Sequence, residues 1–315
     1  MRKARCYTDG VRKARCYTDG VRKARCYTDG VQRAIGNTNI AVAPIGLGGM
    51  PLSIQGRPDE RTALAVIEAF VASGGNLIDT AISYCLDEHD FGHNERLIAK
   101  ALRNLGRPDV IVATKGGLTR PGGRWDVDCS PHWLRSCCEQ SARDLGAPIP
   151  LYYLHTVDPA VPLADSLGEL ARLRDEGKVS YLGLSNVNQR QLDEAVRLTP
   201  IAAVQNRCNV LDARDFQSGL VERCRQLNIA YVPYSSVGGH AGHRRLAQYP
   251  ALARIAEKHA TSIYVIALAW LLAQGPHILP IPGATKGASV RSSASAVAVA
   301  LDADDLETLR TVGSR

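Results

Sequence analysis

The sequence predicts an α/β fold, a closed (β/α)8 TIM barrel, on three observations. Eight short apolar runs alternate with helical patterns between Ile45 and Ile281. The stretch from Gln32 to Arg315 is 284 residues, the length of one such barrel. Polar side chains also gather at the C-terminal ends of successive runs, where barrels of this kind build their active sites. An open doubly wound sheet shares the alternation and is the competing architecture.

Each element has its own signal. Arg33 to Gly36, the turn Asn37-Thr38-Asn39, and Ile40 to Pro44 have the form of a hairpin. The first barrel strand is Ile45-Gly46-Leu47-Gly48. Its glycines in GLGGM do not make a dinucleotide fingerprint, because Pro51 and a loop follow where a helix would have to open. Leu77 to Thr80 follows the turn Ser73-Gly74-Gly75, with Leu64, Ile67 and Val71 on one helical face ahead of it and Leu97, Ala101 and Leu105 on another behind. The remaining strands are expected at Val110 to Thr114, Leu151 to His155, Tyr181 to Leu184, Ala202 to Gln205, Ile229 to Pro233 and Ile278 to Ile281. Between them, Leu163, Leu167 and Leu170 form one apolar stripe and Leu220, Cys224 and Leu227 another.

Residues 2–31 stand apart as three identical copies of RKARCYTDGV. Units this short, with few apolar side chains, cannot offset the entropy of ordering them, so a disordered tail is expected over 1–31 and the barrel over 32–315. The tail also carries the charge. The chain has 38 Lys and Arg against 31 Asp and Glu, a net +7, but the body holds 29 against 28. A nearly neutral body offers no electrostatic ground for a nucleic-acid or membrane partner. Six cysteines remain outside the tail with no C-x-x-C pair or zinc spacing, and no metal site is expected. Reduced thiols and the lack of an apolar leader are read as a cytoplasmic setting. Cys138 shares a helical face with Leu134, Ala142 and Leu145 and reads as a core residue, with oxidant sensing by the vicinal Cys137-Cys138 pair as the alternative.

The strand ends carry the chemistry. Asp79 closes the second strand with Tyr84 in the loop beyond it; Lys115 closes the third and His155 the fourth. Ser185-Asn186 end the fifth, Gln205-Asn206 the sixth, and the seventh runs into Tyr234-Ser235. With GLGGM, LIDTAISY, GHNERL, ATKGG, LHTVDP, GKVSYLGLSN, VQNRCN, PYSSVGG and IPGATK in that order, the chain from Gln32 onward resembles the aldo-keto reductase superfamily.

The resemblance implies a barrel whose base is closed by the N-terminal hairpin, and NADPH-dependent reduction of small-molecule aldehydes or ketones. It casts Tyr84 as the general acid, Lys115 as the charge that stabilises its phenolate, Asp79 as the holder of Lys115, and His155 as the donor that orients the carbonyl. It implies that Ser185, Asn186 and Gln205 hold the nicotinamide carboxamide of NADP(H) and that Tyr234 stacks on the ring. Ser235 and the Gly238-Gly239 loop would approach the pyrophosphate, and Gly283 to Ser293 the adenosine end. There Lys286, and secondarily Arg291, is expected at the 2′-phosphate. Ser292-Ser293 stand where many members carry Glu-Asn. Trp125, in the loop LTRPGGRWDVD, is expected either to wall the substrate site or to anchor the loop. The other histidines, His93, His132, His240 and His243 among them, are taken as surface or loop residues. Two further readings remain: a non-catalytic or slow NADP(H)-binding redox-sensing subunit, and a lyase forming a Schiff base on Lys115. The sequence leaves the physiological carbonyl and the oligomeric state open.

Overall fold

The computed structural model describes residues 31–312. The repeat, read above as disordered, lies outside the described residues apart from Val31.

Seven strands form one parallel sheet in sequence order: β1 (Leu47–Gly48), β2 (Leu77–Asp79), β3 (Ile111–Gly116), β4 (Ile149–Leu154), β5 (Val179–Ser185), β6 (Ala203–Gln205) and β7 (Ala230–Tyr231). An extended eighth segment, β8 (278–283), bridges the two edges through Tyr231–Ile278 and Gly48–Gly283. Its sequence explains why these are bridges and not a full ladder. Alternate residues of a strand bond to opposite neighbours, and on the β1 side β8 presents Pro280 and Pro282, which have no N–H. They only accept, from Gly46 N at 2.9 Å and Gly48 N at 3.1 Å. On the β7 side Leu279 N and Ile281 N donate to Tyr231 and Pro233 carbonyls at 2.8 and 3.2 Å. The barrel is therefore closed, as expected from the sequence.

One helix of the barrel's outer ring is assigned to each strand: α1 (Glu60–Ala72), α2 (His93–Leu105), α3 (Pro131–Leu145), α4 (Leu163–Asp175), α5 (Gln189–Leu198), α6 (Leu220–Gln226), α7 (Ile263–Ala273) and α8 (Gly287–Ser295), with Pro250–Lys258, Ala303–Val312 and two short helices besides. Their starts are written locally. Asp59 caps α1, Ser130 caps α3 with Pro131 in its first turn, and Asn188 with Gln191 forms a capping box on α5. α7 is apolar on every side and is buried from Val265 to Leu271.

At the base, the hairpin pairs Arg33 with Val42 and Ala34 with Ala41, and sends Ile35 and Val42 into the barrel interior beside Leu151, Ala203, Ala230 and Leu279. Its turn residue Gly36 has φ +53°, and a Cβ there would lie 2.3 Å from the Ala202 carbonyl oxygen, so only glycine lets the hairpin press on the strand ends. Arg33 locks it by donating to Gly275 O at 2.9 Å, Leu272 O at 3.0 Å and Ile278 O.

Side-chain parity then decides what reaches the centre. Successive residues of a strand face opposite ways. Leu77, Ala113, Leu151, Tyr153, Ala203, Ala230, Leu279 and Ile281 face inward and fill the interior, while Ile78, Val112, Tyr152, Leu182, Val204, Tyr231 and Ile278 face the helices. Tyr153 needs so much of that interior that a Cβ on Gly183 of the neighbouring strand would lie 2.4 Å from its ring.

Candidate active site

The same parity carries Asp79, Lys115, His155, Ser185 and Gln205 inward, each two residues beyond an inward position and at or just past its strand end. They form the layer above the apolar interior, and Tyr84 descends into it from the loop after β2. Lys115 lies within β3 and Gly116 ends the strand, one small shift from the expected boundary. Its ammonium is fully buried and has three partners: Asp79 Oδ1 at 2.6 Å, Thr80 O at 2.7 Å and the Tyr84 hydroxyl at 3.1 Å. Gln205 Nε2 donates to the other oxygen of Asp79 at 2.7 Å. The His155 ring stands edge-on to Tyr84 with centroids 5.7 Å apart, and its Nδ1 is buried without a partner.

Burial sets the protonation of this layer. It pushes the Asp79 carboxyl up and the Lys115 ammonium down, and their mutual attraction opposes both shifts. His155 is held well below its usual range, first by burial and then by the Lys115 charge, so it is a neutral imidazole. The Tyr84 phenol is raised well above its usual range by burial, with the Asp79 charge adding to the shift. The Lys115 ammonium, expected to ease ionisation of Tyr84, does reach the phenol oxygen, while burial acts against the charged form.

These groups open into a cavity of about 760 Å³ lined by Asp79, Tyr84, His155, Ser185, Asn186 and Gln205 at one end and by Gly283, Ser292 and Ser293 at the other. Tyr234 and Ser235 line the middle, and Tyr234 donates to Asn186 Oδ1 at 2.8 Å. Asn186 in turn donates to the His155 carbonyl at 2.9 Å. Asn186 and Ser235 hold φ of +57° and +52°, conformations that non-glycine residues adopt rarely and that collect at ligand sites. Gly283 borders the cavity, and a Cβ there would lie 2.7 Å from Pro51, so the close packing on Pro51 requires glycine. Lys286 is exposed at the N-cap of α8. Arg291 is exposed on α8, and neither residue lines the cavity.

Trp125 lines the cavity 47% exposed, edge-on to Tyr84 at 6.4 Å. Two histidines depart from the expectation. His243 lines the cavity just past the short helix Gly239–Gly242, with its Nδ1 3.2 Å from Gly239 O. His93 is half-buried against Ser53 Oγ at 2.8 Å, where Asn94 also ties Ser53 to Thr80. Arg120 and Glu95 were missed altogether: Arg120 stacks behind Trp125, and Glu95 accepts from Thr114 Oγ1, next to Lys115. Only the context of GHNERL could have pointed to Glu95.

Barrel, inward polar layer and cavity describe an enzyme-like site at the C-terminal ends of the strands, and comparison with known proteins gives the family. A model of the Aldo/keto reductase family matches residues 44–313. A probable aldo-keto reductase of Glycine max is 33% identical over 302 residues, covering 86% of each chain. One from Strobilurus tenacellus is 32% identical over 307 residues, covering 88% of this chain and 87% of that one. Among solved structures, a thermostable aldo-keto reductase in complex with the inhibitor epalrestat superposes with TM-score 0.78 at 27% identity, over 90% of this chain and 100% of that one. A Klebsiella pneumoniae aldo-keto reductase solved with NADPH shares the fold, with TM-score 0.74 at 23% identity over 90% and 95% of the two chains. The chain belongs to the aldo/keto reductase family, whose members are in general nicotinamide-dependent carbonyl oxidoreductases.

Proposed function

We propose that this chain reduces aldehydes or ketones to alcohols with NADPH, taking the proton from Tyr84. The observation that carries the reading is the Lys115 ammonium held between Asp79 Oδ1 and the Tyr84 hydroxyl at the floor of the cavity. When bound, the cofactor supplies the hydride. Ser185, Asn186 and Gln205 would hold its carboxamide, and Tyr234 would form the wall on which its ring lies. Gly283 lets the chain approach closely. Lys286, with the free N–H groups at the start of α8, would receive a 2′-phosphate. Neutral His155 donates a hydrogen bond to the substrate oxygen and polarises it. Tyr84 gives its proton to that oxygen as the alcohol forms, and the phenolate left behind faces Lys115.

Lys115 does not suit the lyase reading, because a Schiff-base nucleophile needs a free amine and this ammonium is donated to three partners. NADPH consumption over a panel of aldehydes and ketones tests the proposal. Tyr84→Phe should lower kcat by roughly 10²- to 10⁴-fold while NADPH still binds. A variant that turns over like the parent sinks the acid role. Tight NADPH binding without turnover by the parent favours the sensor-subunit reading.

A further inference from the structure

Arg120 is fully buried, yet its hydrogen-bond partners are an amide oxygen and two backbone carbonyls, with no carboxylate among them. Burying an unpaired guanidinium is costly unless its donors are met. One nitrogen is met well: Nη2 donates to Gly123 O at 2.8 Å, Leu86 O at 3.0 Å and Gln55 Oε1 at 3.1 Å. Nε and Nη1 have no partner. What remains is the indole of Trp125, whose ring centroid lies 3.9 Å from the guanidinium carbon. That distance is face contact, and a desolvated cation on an indole face is a favourable pair.

Trp125 lines the cavity, flanks Tyr84, and is about half exposed. A large exposed aromatic on a loop would ordinarily move among rotamers. Here Arg120 holds it from behind, and the same guanidinium grips Leu86, two residues past Tyr84. The cavity is also lined by Leu118, Met50 and Pro51, and among its described lining residues Asp79 is the carboxylate and there is no Lys or Arg. An anionic substrate finds no cationic partner among them, and a flat apolar one finds a fixed ring.

Resting on the carbonyl-reductase reading, we infer that Arg120 is a positioning residue that fixes Trp125 as a flat wall, so that the site selects carbonyl compounds with a planar aromatic body over small aliphatic ones. The cation behind the indole draws density from its ring, so the wall also prefers electron-rich arenes. Lysine cannot replace it: an ammonium keeps the charge but has neither the planar face nor the fork.

The test compares 4-methoxybenzaldehyde with propanal in the parent, Arg120→Lys, Trp125→Leu and the double variant. Both singles should lower the aromatic-to-aliphatic ratio of kcat/KM by about 5- to 10-fold, chiefly through KM, and the double should fall no further than Trp125→Leu. Trp125→Leu alters an exposed side chain, so it reports even if Arg120→Lys folds poorly. An unchanged ratio, equal loss on both substrates, or additive losses would overturn the inference. If the parent consumes NADPH with neither aldehyde, the reductase reading fails instead. Calorimetric titration with 4-methoxybenzaldehyde then still decides this one: affinity dropping about 5- to 10-fold in both singles supports it, and equal affinity refutes it.

Discussion

At the residue scale, the direction of the Tyr84 shift makes a prediction that differs from a simple ammonium-assisted tyrosine. Burial keeps the phenol protonated through the neutral range and beyond. Carbonyl reduction uses that protonated form, so its kcat should stay flat as pH rises from 6 to 9. Alcohol oxidation by the same site uses the phenolate and should climb steadily over the interval. The check is a pair of pH profiles under saturating cofactor; a reduction rate that falls between pH 7 and 9 would show the phenol titrating low. The six buried cysteines of the body follow the same logic in reverse of reactivity. Burial pushes each thiol up to about 12, Cys137 and Cys138 included, so the vicinal pair holds almost no thiolate with which to sense oxidants.

At the element scale, Glu95 joins α2 to β3 immediately behind Lys115. Its carboxyl is buried, bonded through Oε1 to Thr114, and pushed up to about 7 because the charged form is desolvated. A carboxylic acid that titrates higher in the folded state than unfolded stabilises the fold at low pH. That contribution is complete below about 4.5 and is lost as pH rises through 7, for a difference of roughly 3 kcal/mol. Glu95→Gln keeps an acceptor for Thr114 and cannot ionise. It should raise Tm at pH 8 relative to the parent, and flatten the decline in Tm between pH 5 and pH 8. Equal pH dependence in the two proteins would mean Glu95 is hydrated or neutralised in a way the packing does not show.

At the scale of the whole molecule, Arg33 connects the hairpin to the last turn of α7 and the start of β8, across more than 230 residues of chain. Arg33→Met keeps the stem and takes a donor from three carbonyls, of which Gly275 O still accepts from Ile278 N at 3.3 Å, so unfolding should become easier by about 2–4 kcal/mol, read by chemical denaturation. A change under about 0.5 kcal/mol would show that the hairpin contributes packing alone.

Much of this plan was legible in the chain. The strand cores could be read because each is a short apolar run, and the inward layer because alternation is a property of strands and needs no tertiary knowledge. What stayed hidden depends on how side chains pack in three dimensions. Arg120 reads as one more charge in a turn-rich loop until Trp125 is seen against it. His243 reads as a loop residue until the cavity is seen beside it. The sign of the Tyr84 shift turns on how deeply the layer lies, which a motif does not record. Gly183 looks like any strand glycine until Tyr153 occupies the space beside it.

The two prolines of β8 have a further consequence. A cylinder whose strands are joined by donors from both sides has no preferred place to part, but this one has a seam. Between β1 and β8 every amide hydrogen comes from one lip, Gly46 and Gly48, and the other lip can only receive. Gly48, Ile281 and Gly283 on those lips also border the long cavity. This one-sided joint borders the cavity, and an occupant touching both lips would act as the missing stitches.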